Sequence, residues 1–222
     1  MKALAILTLL VGCTGDLVDP WQLDHDRIVA VRATPPRIPA EATAQLDVLI
    51  ANAGAPTRTV APDSIAVVAP SSLASVVAGD TVTAPSEPTL AAARIELGLT
   101  ASAPVPLALS VTANGFVATT TVWLGEAADN PPLTGMEIDG GAPGDSLVLP
   151  AKTDVPLAVN ADDSIDNVTW LTSCGTMHDF DLSRAYLHIE ADDAQQGELA
   201  VVLRDSRGGV SWRVWPVRAA SE

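Results

Sequence analysis

The sequence predicts an all-β protein built from two tandem β-sandwiches, and three observations carry that prediction. Short Val/Ile/Leu/Thr runs recur from residue 28 to residue 217, Gly, Pro, Asn and Asp separate them, and no stretch sustains a 3.6-residue apolar period. The body left after a leader of twelve residues is long enough for two domains of about 100 residues each. A proline-rich break, GEAADNPPLT at 125–134, falls near the middle.

The chain opens MKALAILTLLVGC, with one lysine, an apolar stretch from Ala3 to Val11 and small residues before Cys13. That is the layout of a secretory signal, and it is too short to span a bilayer, which takes about 20 residues. Residues 1–12 are therefore expected to be removed on export. The quartet Leu10, Val11, Gly12, Cys13 resembles the lipobox of bacterial lipoproteins. The resemblance implies a diacylglycerol thioether on Cys13, cleavage before it, and a membrane-held protein of a Gram-negative cell envelope. Thr14 follows the cysteine, and the resemblance then favours the outer over the inner membrane. Residues 13–26, with Asp16, Asp19, Asp24 and Asp26 and no Lys or Arg, read as the lipidated cysteine and an acidic tether. Fully extended, Thr14 to Asp26 would reach about 43 to 47 Å at 3.3 to 3.6 Å per residue.

The first sandwich is expected over 27–124, with strands at 28–34, 44–51, 64–69, 74–83, 90–98, 105–113 and 116–124. Asn114-Gly115 suits a two-residue hairpin that needs positive φ. After the linker at 125–134, the second sandwich occupies 135–222, with strands near 135–139, 146–149, 154–160, 166–172, 185–190, 197–204 and 209–217. Sliding the chain by 92 residues lays Leu107, Leu109, Val111, Val122 and Trp123 on Leu199, Val201, Leu203, Val214 and Trp215. This reads as a repeat with the hairpin length preserved, whereas Leu46 and Val48 fall on Leu157 and Val159 only with a shift of 111. Trp170, in NVTWLTSCG, resembles the core tryptophan of the third strand of immunoglobulin-like sandwiches, and both halves are similar to such domains of bacterial surface proteins. Trp212 and Trp215 differ by three and so take opposite faces of a strand, one in the core and the other exposed or at the domain junction.

Charge narrows the partners. The net charge is −15, and residues 126–222 carry seventeen acidic against six basic side chains, whereas 27–125 carry six against five. Such a surface repels phosphate backbones and excludes nucleic acid; it attracts cations or basic protein patches. There are two cysteines. With Cys13 lipidated, Cys174 has no partner within the chain, and the plain reading is a buried small hydrophobe.

Three strings invite chemistry. Gly144-Asp145-Ser146-Leu147 spells the nucleophile block of GDSL-type esterases, but turn residues precede it and no DxxH follows. CGTMHDFD gathers Cys174, Met177, His178, Asp179 and Asp181, a mixture of soft and hard ligands that suits no single metal. Asp162, Asp163 and Asp166, with Asp179 and Asp181, are candidates for a hard cation such as calcium if the loops converge. His25, His178 and His188 share no spacing. No catalytic residues are assigned. The expectation is a non-enzymatic envelope lipoprotein whose paired domains form an interaction module for another envelope protein, with no cofactor beyond the lipid. The alternative is a calcium- or copper-binding lipoprotein using the acidic loops of the second domain.

Overall fold

In the computed structural model, residues 19–161 and 165–220 are described, and the alternation of apolar and polar side chains sets four sheets. The first half runs β1 (Arg27–Thr34), β2 (Arg37–Ile38), β3 (Thr43–Asn52), β4 (Ala55–Val60), β5 (Ser64–Ala69), β6 (Val77–Ala78), β7 (Thr81–Thr83), helix α1 (Glu87–Glu96), β8 (Val105–Ala113) and β9 (Phe116–Leu124). One sheet has the order β1-β3-β7-β6, with β4 also pairing with β3; the facing sheet is β2-β9-β8-β5. The second half runs β10 (Glu137–Ile138), β11 (Leu147–Leu149), β12 (Val155–Ala158), β13 (Ile165–Thr172), β14 (Thr176–His178), β15 (Arg184–His188), β16 (Gln196–Asp205) and β17 (Val210–Ala219). Its sheets are β10-β12-β15-β14 and β11-β17-β16-β13.

The two orders are the same. In each half a four-strand path faces a second sheet whose edge strand, β2 or β11, runs parallel to the last strand. This is the strand order of an immunoglobulin-like sandwich, and the protein is all-β with two such domains. Inward residues fill each core. In β8, Val105, Leu107, Leu109, Val111 and Ala113 are buried while the residues between them are partly exposed. Trp170 is fully buried on β13, the third-strand position, and its Nε1–H donates to the Leu182 carbonyl at 3.1 Å.

The strand expected at 90–98 is instead α1. Pro88 sits in its first turn, where a missing N–H costs nothing, and Glu87 complements the positive end of the helix. Ala91, Ala92 and Ala93 have the highest helix propensity. Leu90, Ala93 and Arg94, at i, i+3 and i+4, form the buried face. Arg94 is only 4% exposed; it donates to the Ala103 carbonyl at 2.7 Å and pairs with Glu87. The three strands that the sequence did not announce, β2, β4 and β14, are short or lack alternation; β4, APTRTV, has no buried residue.

The repeat is also corrected. In the first hairpin Thr112 pairs with Val117; in the second, Arg204 pairs with Val210 across a turn one residue longer. A one-residue change reverses the face of every following side chain. Val122 and Leu124 face the first core, and their counterparts in the second are Trp215 and Val217, opposite Leu199 and Gly197. Trp123, aligned with Trp215 by the uniform shift, points outward and is half-buried.

Candidate functional site

Among the described residues, the expected metal candidates do not come together. Cys13, Leu10, Val11 and Gly12 lie outside the described residues, as do Asp162 and Asp163. Asp166, Asp179 and Asp181 are exposed, and among the described residues no three His, Cys, Asp or Glu side chains come together to hold a metal ion. Strand alternation in β14 separates Met177, which is buried, from His178, which is exposed. Cys174 is a free, buried thiol at 2% exposure, and burial pushes its pKa up while the Thr172 hydroxyl opposes the shift. A thiol held protonated in this way is a packing group, not a nucleophile. Gly175, with φ of +77°, permits the tight turn behind it, since a Cβ there would lie 2.2 Å from the His188 carbonyl oxygen. Ser146 is exposed in the bend that leads into β11. His188 lies on the solvated face of β15, between Asp154 at 2.7 Å and Glu190 at 3.2 Å. Its pKa is raised, first by the hydrogen bond to Asp154; desolvation, next in size, opposes the rise, and the Glu190 and Asp154 charges add to it.

What the chain does assemble is a seam between the sandwiches. Leu49 and Ala51 of β3, Ala30 of β1, Ala200 and Val202 of β16, and Val210 and Trp212 of β17 form a third buried apolar cluster. In β16, Leu199, Val201 and Leu203 face the second core while Ala200 and Val202 face the seam, so residues 199–203 are buried on both sides. Continuous apolar runs mark strands covered on both faces. Trp212 anchors the middle: Arg32 stacks 4.0 Å from its ring centroid, and its Nε1–H donates to Thr59 Oγ1 at 3.2 Å. Trp215 is fully buried in the second core, so the two tryptophans take the opposite faces that their spacing requires.

Polar clasps close the seam at its ends. At one end Arg37 donates to Asp205 Oδ2 at 3.1 Å, and Asp205 Oδ1 accepts the Arg207 and Gly209 N–H groups, each at 2.8 Å. Both Arg37 and Asp205 side chains are about nine-tenths buried. Asn130, in the linker, donates to the Ala33 carbonyl and accepts the Val210 N–H, each at 2.8 Å, and so ties both domains. Gly208, with φ of +82°, brings the second hairpin onto β9: a Cβ there would lie 2.5 Å from the Thr121 carbonyl oxygen. Deeper in, Arg204 donates to the Val29 carbonyl at 2.9 Å, and burial lowers its pKa. At the other end the Thr57 N–H meets Glu198 Oε2 at 2.8 Å.

The start of the described chain is wedged into this same end. Leu23 N–H donates to the Thr172 carbonyl and Thr172 N–H to the Trp21 carbonyl, both at 2.9 Å. Leu23 is 2% exposed in the seam, Trp21 packs on the second core, and Arg27 donates to the carbonyls of Pro20 and Gln22. Residues 20–23 are thus part of the body. Any leash lies before them, and the six residues from Thr14 to Asp19 reach at most about 22 Å. Sequence reasoning missed the clasps because no local pattern announces a partner so distant in the chain. The run LAVVL at 199–203 was the available signal of a strand covered twice.

No family model matches the chain, and no curated protein matches it. Among solved structures, a chimeric titin Z1Z2-Z1Z2 tandem is similar at 10% identity, with 89% of this chain and 100% of that one covered and a TM-score of 0.34. The tandem Ig repeats of Dlar are 12% identical over 89% of this chain and 98% of that one, TM-score 0.32. Fibronectin(III)-like modules of Clostridium thermocellum CbhA are 11% identical over 86% and 94%, TM-score 0.26. The fold assignment rests on the strand order described above.

Proposed function

We propose that this protein is a lipid-anchored component of a bacterial cell envelope whose two fused sandwiches act as a rigid, non-enzymatic interaction module. The observation that carries the module is the seam. A body whose domains share a buried core and clasps at both ends presents a surface of fixed shape, as a binding scaffold needs. The anchor rests on Leu10-Val11-Gly12-Cys13 after the apolar leader. The excess of acidic side chains in the second domain favours a basic patch on another envelope protein as partner.

The intact mass of full-length protein extracted with detergent from its own membranes tests the anchor. The expected species is residues 13–222 plus an acylated glycerol. A lipid-free mass overturns the anchor and leaves the body unchanged. In-membrane cross-linking tests the module: neutralising Glu190 and Asp192, both exposed beside one turn, is expected to weaken the captured partner. A cross-link pattern indifferent to these and to all other exposed charges of both domains overturns it.

A further inference from the structure

The three long strands of one sheet of the first domain carry no ionisable side chain. Residues 64–79 and 97–125 contain no Asp, Glu, Lys, Arg or His, in a chain of net charge −15. Those stretches supply β5, β8 and β9, the three long strands of the sheet β2-β9-β8-β5. Apart from Trp123, which lies beside the second hairpin at Gly208, its outward positions are neutral and mostly small: Ala108, Ser110 and Thr112 on β8, Val117 and Thr119 on β9.

The sheet ends in an unprotected edge. β5 pairs with β8 on one side, and among the described residues no backbone group of 64–69 bonds any other strand. Every other exposed edge of comparable length is guarded, as edges in monomeric proteins are. β1 lies along the seam, where Val29 accepts Arg204. β4 carries Arg58 and is tied across the seam through Thr57 and Thr59. β13 carries Asp166 and is bridged by Gln22. The terminal strands β2, β6, β10, β11 and β14 have two or three residues. β5 reads SIAVVA, six uncharged residues with three β-branched among them, and its burial alternates between exposed and half-buried. A bulge between Val67 and Ala69 turns Val68 outward to 61% exposure, leaving Ser64–Val67 as the straight segment.

We infer that β5 pairs antiparallel with β5 of a second copy of this chain, joining two four-stranded sheets into one of eight. The occupant follows from charge. Two bodies of net charge −15 repel each other least where ionisable groups are fewest, and this edge carries none along Ser64–Ala69, with only Asp63 and Asp80 beside its Ser64 end. An edge pair with a two-fold axis satisfies its own free N–H and C=O groups. The inference does not need the lipid on Cys13.

Sedimentation equilibrium of the full-length protein in density-matched detergent tests it. The wild type is expected to show a monomer–dimer equilibrium that tightens with added salt, as the repulsion between the remaining surfaces is screened. Val68→Lys and Ala66→Lys, both at exposed positions, are each expected to raise the dimer dissociation constant at least about tenfold, about 1.4 kcal/mol, with unchanged melting. Val148→Lys, exposed on β11 of the other domain, is expected to leave the dimer intact. A monomer at all concentrations up to about 100 µM, well above what a specific interface requires, overturns the inference. So does a dimer unaffected by both β5 variants, or one that salt dissociates.

Discussion

The outer face of β16 and β17 and the outer face of β8 and β9 are the same surface in two copies of one sandwich. In the second domain it carries Ala200, Val202, Val210 and Trp212 and is buried in the seam. In the first it carries Ala108, Ser110, Thr112 and Thr119 and stays accessible. The strand order is shared, so topology does not decide which face is covered. Side-chain size does: large apolar groups on both faces demand a second layer, whereas small neutral ones tolerate water on one. The first domain meets that demand with the opposite kind of sheet, through Ala30, Leu49 and Ala51.

The largest expected effects test this contrast through its two tryptophans. Trp215→Ala empties the second core and is expected to destabilise that domain by about 3–5 kcal/mol. Trp212→Ala removes a side chain of equal size from the seam; it is expected to split a single calorimetric transition into two, because coupling between domains is lost while each core survives. A single transition in Trp212→Ala that merely moves to lower temperature would make the seam part of one indivisible core.

Next in size is the clasp. Asp205→Ala leaves the nine-tenths buried Arg37 with only the Glu126 carboxylate, 3.6 Å away, and frees two hairpin N–H groups, so a loss of about 3 kcal/mol is expected in chemical denaturation. Adjacent residues of β16 sharpen the comparison further. Val201→Thr buries a hydroxyl in the second core and Val202→Thr buries one in the seam, each at a cost of about 1–3 kcal/mol. The first is expected to lower the second domain's own transition and the second to lower only the coupling.

The smallest effect is expected at His188, on the solvated side of the second domain. A histidine whose folded pKa is raised binds its proton more tightly in the folded state. Its contribution is therefore complete below the unfolded value and disappears as pH rises through the raised folded value. Asp154→Asn is expected to lower the melting temperature in acid, with the difference from wild type closing as pH rises past that point. A difference that widens toward alkaline pH would mean that Asp154 acts through something other than this histidine.

The sequence announced what is local and periodic. The long strands, the Asn114-Gly115 hairpin, Trp170 in its core and the opposite faces of Trp212 and Trp215 all follow from period-two alternation and turn chemistry. α1 escaped because Ala91, Ala93, Ile95 and Leu97 alternate as a strand's apolar face would, while Leu90, Ala93 and Arg94 form the helical face, and Pro88 was the discriminating residue. The displaced repeat escaped because one extra turn residue leaves hydrophobic composition intact while reversing its direction. The clasps escaped for a different reason: Arg37, Asn130 and Asp205 are ordinary surface residue types, and only the docking of two sheets makes them neighbours. The uncharged long strands β5, β8 and β9 lay open in the residue order, as two stretches without a single ionisable side chain.

The wedge formed by Trp21 and Leu23 sets a timetable. Among the described residues these precede every strand, yet their hydrogen-bonding partner is Thr172, at the end of β13, and Leu23 rests against strands of both domains. The first sandwich holds every one of its strands by residue 124 and is free to fold as synthesis proceeds. The wedge cannot seat until most of the chain has appeared, so the earliest residues are among the last to find their place. On the export route proposed above, residues 21–23 would stay unseated during passage and lock down once the second domain has arrived.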